Sequence, residues 1–78
     1  MKTTERLWWL EFGMRVSLIR HIKKLSQQQL CERLKIARAS VANIETGRQG
    51  VSAYMLRKLA KALGVSVGQL LPTARPKE

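Results

Sequence analysis

The sequence predicts an all-α domain built from five short helices. Apolar residues recur at intervals of three and four along most of the chain, which is the spacing of helices that bury one side. Two Ser-x-x-Gln boxes, at Ser26 and Ser66, open helical stretches, and Gly47, Gly64 and Pro72 stand where such stretches should stop. No segment alternates apolar and polar residues with the period of two that a half-buried strand requires.

In residues 12–25, FGMRVSLIRHIKKL, the side chains of Phe12, Val16, Ile19 and Ile22 fall on one stripe, while Arg15, Arg20, Lys23 and Lys24 fill much of the remainder. Residues 1–11 read as an N-terminal extension, its first residues disordered. Ser26 and Gln29 form a capping box, in which hydroxyl and amide satisfy backbone N–H groups that a helix start leaves open. A second helix therefore begins at Gln27 and buries Leu30, Cys31 and Leu34. Lys35 to Ala37 alone separate it from a third helix, Arg38 to Thr46, which buries Val41 and Ile44 and ends at Gly47. So short a connection makes the two helices meet steeply, as in a helix-turn-helix.

After a loop from Gly47 to Val51, Ser52 caps a fourth helix with Leu56, Leu59, Ala60 and Leu63 on its inner face, and Gly64 ends it. Ser66 and Gln69 repeat the capping box for a short fifth helix carrying Val67, Leu70 and Leu71. Pro72 stops that helix, and residues 72–78 form a disordered tail, leaving 12–71 as the folded domain.

A chain of 78 residues is one domain, near the lower limit of size for a core without disulfides or metal. Fifteen Lys and Arg against five Asp and Glu leave a net charge of +10, which calls for a polyanionic partner, nucleic acid before an anionic membrane. The single cysteine, Cys31, excludes an intramolecular disulfide and offers no metal-ligand spacing, so we expect a small core hydrophobe in a reducing, cytoplasmic and nucleoid-associated setting. The apolar run LWWL at 7–10 is too short for a signal-peptide core, and nothing approaches a membrane span. One His, one Cys and five scattered acids supply no triad, carboxylate pair or metal set, so the chain reads as no enzyme and needs no cofactor. His21 reads as a partly exposed structural imidazole, and Arg57, Lys58 and Lys61 as a solvated face.

LSQQQL at 25–30, the apolar set Leu30, Leu34, Ile36, Val41 and Ile44, IETG at 44–47 and LRKLAKALGVSVGQLL at 56–71 together resemble the lambda-repressor-like DNA-binding domain of phage repressors, Cro proteins and Xre-type regulators. The resemblance covers residues 12–71 and implies a compact five-helix domain with its helix-turn-helix in helices two and three. Three residues depart from the family pattern. Lys35 stands where a turn glycine is usual, and a left-handed lysine costs about 1 kcal/mol. Ala37 replaces a capping Ser or Thr, giving up about 1 kcal/mol. Cys31 stands where Ala is favoured between helices two and three.

If the third helix enters the major groove, as the resemblance implies, its first turn must be slender enough to approach base edges. Ala39 and Ser40 keep it so. Arg38 then has the forked donors for guanine O6 and N7, Ala39 meets a thymine methyl, Ser40 bonds a base or phosphate, and Asn43 reaches adenine or the backbone. Gln27 matches the family position at which the start of helix two abuts a phosphate, with Gln28 beside it; free N–H groups and the helix dipole attract an anion there. Arg48, Gln49 and the backbone of Gly50 match the loop that grips the following phosphates. By the same resemblance Arg20 and Glu45 form an internal ion pair.

These features lead us to expect a sequence-specific, double-stranded DNA-binding transcriptional regulator, a repressor acting as a homodimer on a palindromic operator. Leu7, Trp8, Trp9, Leu70 and Leu71 offer an apolar patch for the second subunit. The rival reading in another class is an antitoxin that binds a protein toxin and autoregulates its promoter. A basic amphipathic peptide acting at membranes is a third, resting on the charge and the paired tryptophans.

Overall fold

The computed structural model describes residues 3–72 and is all-helical, with α1 over Thr3–Ile22, α2 over Gln27–Leu34, α3 over Arg38–Glu45, α4 over Ala53–Leu63 and α5 over Val67–Leu70. There is no strand among the described residues. The expected tail at 73–78 and the first two residues lie outside them. The five-helix order and the tight α2–α3 connection are as the sequence predicts.

The first helix differs from expectation at both ends. It starts at Thr3 rather than Phe12, so residues 3–11, expected as an extension, are continuous with α1. The physical reason is aromatic. Trp8 stacks on Phe12 one turn later, with centroids 6.0 Å apart, and Trp9 meets both rings edge-on at 4.9 and 5.4 Å. Both indoles pack against the core, so helix extension buries surface that a frayed start would leave wet. At the other end α1 stops at Ile22, and Lys24 turns the chain with φ 57° while the Leu25 N–H donates to the Arg20 carbonyl at 3.0 Å. Ile22, expected on the buried stripe, is 65% exposed, because the inward place in that turn belongs to Arg20.

Helix ends follow local chemistry. The Gln29 N–H donates to Ser26 Oγ at 3.0 Å and the Ser26 N–H to Gln29 Oε1 at 2.8 Å, closing the capping box that begins α2. Ser52 caps α4 through the Met55 N–H at 3.1 Å, and Ser66 pairs with Gln69 at the start of α5. Gly47 and Gly64 take φ of 73° and 70°, the left-handed geometry in which glycine has no Cβ penalty.

Phe12, Val16, Leu30, Leu34, Val41, Ile44, Leu59 and Leu70 are the large side chains buried at the centre, so every helix contributes to one core. Cys31 is part of it, its thiol donating to the Gln28 carbonyl at 3.1 Å. α1 crosses the C-terminal end of α3 so closely that a Cβ on Gly13 would stand 2.3 Å from the Ile44 carbonyl oxygen. That end of α3 is thereby fixed, while Arg38 and Ala39 at the other end are exposed.

Candidate nucleic-acid interface

α3 is anchored by Val41 and Ile44, each 1% exposed, while Arg38 and Ala39 at its tip are exposed and Ser40 is half-buried. Ala37 has the extended backbone of an N-cap residue but makes no side-chain capping bond, so the first N–H groups of α3 remain open to water or a ligand. The turn before it is held by other means. Lys35 adopts φ 58°, ψ 44°, its backbone N–H bonding back into α2, and the Ile36 N–H donates to the Cys31 carbonyl at 3.1 Å. Lys58, expected on a solvated face, instead reaches from α4 to donate to the Leu34 carbonyl at 2.8 Å, capping α2 with a positive charge. Arg57 and Lys61 are exposed.

At the other end of α3, Glu45 organises a buried polar cluster. Arg20 Nε and Nη2 donate to its two carboxylate oxygens at 2.6 and 3.0 Å, and Arg20 Nη1 donates to the Leu25 carbonyl at 2.8 Å. Gln27 Nε2 donates to Glu45 Oε1 at 3.1 Å. No buried side-chain N or O among the described residues lacks a hydrogen-bond partner, which is what allows a charge pair to persist inside so small a core. The Gln27 amide is therefore held by Glu45, with one further N–H of its NH2 group still to be used. Gln28 is exposed and bonds Glu32 at 3.2 Å. With Ser26 capping only the Gln29 N–H, the backbone N–H groups of Gln27 and Gln28 at the start of α2 have no intrahelical acceptor.

The loop after α3 leaves from this same end. The Arg48 and Gln49 N–H groups both donate to the Asn43 carbonyl, at 2.9 and 3.3 Å, folding the loop back on the helix. Arg48 is exposed, and Gln49, Gly50 and Asn43 are half-buried. α1 forms the floor of the loop. A Cβ on Gly47 would meet the Leu10 backbone at 2.8 Å, and one on Gly50 would meet Trp9 Cζ2 at 2.7 Å. Sequence reasoning missed this role of Trp9. Its trace in the sequence is the pair Gly47 and Gly50, which flank the two polar residues of the loop.

Gln27, Glu45 and the Arg48 loop thus gather at one end of α3, and Arg38 stands at the other, one eight-residue helix away, roughly 12 Å. Between residues 23 and 61 nine Lys and Arg stand against Glu32 and Glu45 alone, and Glu45 is already neutralised by Arg20. A slender exposed tip, open N–H groups and a surplus of cations are what a duplex phosphate backbone and its groove edges require. Of the patch expected for a second subunit, Leu7 is exposed, Trp8, Trp9 and Leu71 are half-buried, and Leu70 is fully buried in the core. Leu70 cannot belong to such a surface, because α5 turns it inward between α1 and α4. No three His, Cys, Asp or Glu side chains among the described residues are grouped to hold a metal, and no helix among them is long and apolar enough to cross a membrane.

Comparison with known families agrees with this geometry: the Helix-turn-helix family model matches residues 18–70, and the chain belongs to that lambda-repressor-like, Xre-type family. Among individual relatives, the Competence pilus inhibition repressor of Acinetobacter baylyi is 34% identical over 61 residues, covering 78% of this chain and 56% of the relative. Control protein C.BamHI of Bacillus amyloliquefaciens is 38% identical over 63 residues, covering 80% of this chain and 78% of that protein. The crystal structure of the restriction-modification controller protein C.AhdI from Aeromonas hydrophila superposes with a TM-score of 0.78 at 33% identity, covering 81% of this chain and 96% of that one. The chain thus spans little more than half the length of the competence repressor and most of the length of the two controller proteins. All three relatives bear the names of regulators, not of enzymes.

Proposed function

We propose that this chain is a sequence-specific, double-stranded DNA-binding transcriptional repressor that occupies a palindromic operator as a homodimer. The observation that carries the reading is the exposed Arg38–Ala39 tip on a helix whose far end is locked to α1 and α2. In this arrangement Arg38, Ala39, Ser40 and Asn43 face base edges. The start of α2 at Gln27 and Gln28 and the loop of Arg48, Gln49 and Gly50 hold the phosphates on one side and fix the register. The repressor and controller names of the relatives support a regulatory role over the antitoxin alternative.

Repression follows most simply from occupancy, a bound dimer excluding other proteins from a promoter. Two half-sites would be about 34 Å apart, one helical turn, in keeping with a two-fold protein. Selection of bound fragments from random duplex DNA tests the reading. The expected result is a palindrome bound far more tightly than random sequence, with log affinity falling against log salt at a slope of about −5 to −9. Equal affinity for selected and random duplexes would overturn it.

A further inference from the structure

Three cations gather around a cavity outside the interface described above. Lys23 just past α1, Arg33 on α2 and Lys61 near the end of α4 line a space of about 270 Å³, with half-buried Leu25 and Ala62 as its apolar wall. No acid lines it, and none of its residues belongs to α3 or to the Arg48 loop. A Cβ on Gly64 would stand 3.9 Å from Lys23 Nζ, so the ammonium that follows α1 lies over the cap of α4. Arg33 stands roughly 140° around α2 from Gln28, on a different side from the residues that the proposed function gives to DNA.

A cation near the end of a helix ordinarily serves the last carbonyls, but here these are already taken. On α4 the Ala60 carbonyl accepts from the Val65 N–H at 3.0 Å, that of Lys61 from the Gly64 N–H at 3.2 Å, and that of Ala62 from Arg33 Nη1 at 2.9 Å. On α1 the Ile19, Arg20 and His21 carbonyls accept from the N–H groups of Lys23, Leu25 and Lys24. Neither the Lys23 nor the Lys61 ammonium has a hydrogen-bond or ion-pair partner among the described residues, and Ala62 occupies one of the five N–H groups of Arg33. Like charges held around one space repel, and an anion that fills the space removes that cost.

We propose that this cavity binds a small organic phosphate, its phosphate group held by Lys23, Arg33 and Lys61 and its organic part lying on Leu25 and Ala62. A phosphate monoester brings close to two negative charges at pH 7 and three acceptor oxygens, one for each cation. The volume falls just below the usual range of small-molecule pockets, which limits the ligand to a small one. The site is separate from the DNA surface and does not depend on it.

Titration of isotope-labelled protein with phenyl phosphate and with inorganic phosphate, at constant ionic strength and followed by amide NMR, tests the site. The expected result is saturable binding of phenyl phosphate in the low-millimolar range that moves the Leu25, Ala62 and Gly64 signals, with inorganic phosphate bound about 5-fold more weakly for want of the apolar contact. Lys23→Gln and Lys61→Gln should each weaken phenyl phosphate about 5-fold, and Arg57→Gln, which removes an α4 cation outside the cavity, should not. All three side chains are exposed, so helical circular dichroism should stay unchanged. Signals that drift without saturating, or an Arg57→Gln variant weakened as much as Lys61→Gln, would mean diffuse surface charge and overturn the site. Equal binding of the two phosphates would overturn the organic ligand. Saturation with the selected duplex should leave phenyl phosphate binding within about two-fold; displacement by the duplex would assign these cations to DNA and overturn the proposal, whereas a failed duplex selection would strike the proposed function and leave this site standing.

Discussion

The Arg20 guanidinium grips both oxygens of Glu45, at 2.6 and 3.0 Å, with the two side chains only 9% and 5% exposed. This one contact ties α1 to the end of α3 and, through Gln27, to the start of α2. Replacing Glu45 with Ala leaves a buried guanidinium without its counter-charge, and Glu45→Ala is expected to lose about 3 to 5 kcal/mol of stability. Urea unfolding measures this, and a midpoint equal to the wild type would refute it. Any loss of DNA binding should follow the unfolded fraction.

The tip and the loop are separable. Arg38→Ala should relax preference at one base pair by about 1 to 3 kcal/mol while leaving the salt dependence nearly intact. Arg48→Ala should weaken all sequences alike and reduce the salt slope by about one unit. Titrations of selected and scrambled duplexes at several salt concentrations distinguish the two; unchanged selectivity in Arg38→Ala would remove Arg38 from the reading group.

The turn between α2 and α3 carries avoidable cost. Lys35 is left-handed at φ 58° and Ala37 caps nothing. Lys35→Gly should gain up to about 1 kcal/mol by relieving the Cβ penalty, and Ala37→Ser about 1 kcal/mol by bonding an open N–H of α3. Thermal denaturation should show both variants melting above the parent. A lower melting temperature for Ala37→Ser would mean that the hydroxyl does not reach the helix.

Gly13 has no room for a methyl group, since its Cβ would lie 2.3 Å from the Ile44 carbonyl oxygen and 2.7 Å from that of Glu45. Backbone cannot swing aside as a flexible side chain can, so Gly13→Ala should force α1 and α3 apart at a cost of about 1 to 3 kcal/mol. A chemical-denaturation curve superimposable on the parent's would contradict the close crossing.

Much of this architecture was legible in the chain because it is encoded locally. Ser26 with Gln29, Ser66 with Gln69, and the left-handed Gly47 and Gly64 each act within a few residues, so the ends of α2 through α5 could be placed closely. α1 was harder for a physical reason. With Leu7, Met14, Leu18 and Ile22 outside and Phe12 and Val16 inside, its apolar residues do not mark a single side, and Arg20 takes an inward position that pattern alone would give to Ile22. The inward turn of Leu70 and the reach of Lys58 to the Leu34 carbonyl depend on helices distant in sequence. So does the seating of Trp9 on Gly50. The small first turn of α3, by contrast, is a property of composition, and its exposure follows from how α3 is anchored.

That seating has an optical consequence. Of the two indoles in the chain, one lies against the backbone of the loop that bears Arg48 and Gln49, and the other touches the first ring edge-on. Any ligand that shifts the loop must alter the surroundings of Trp9. The protein therefore carries a built-in fluorophore at the rim of the proposed interface, and emission from unlabelled material should report engagement of the loop separately from events at the Arg38 tip.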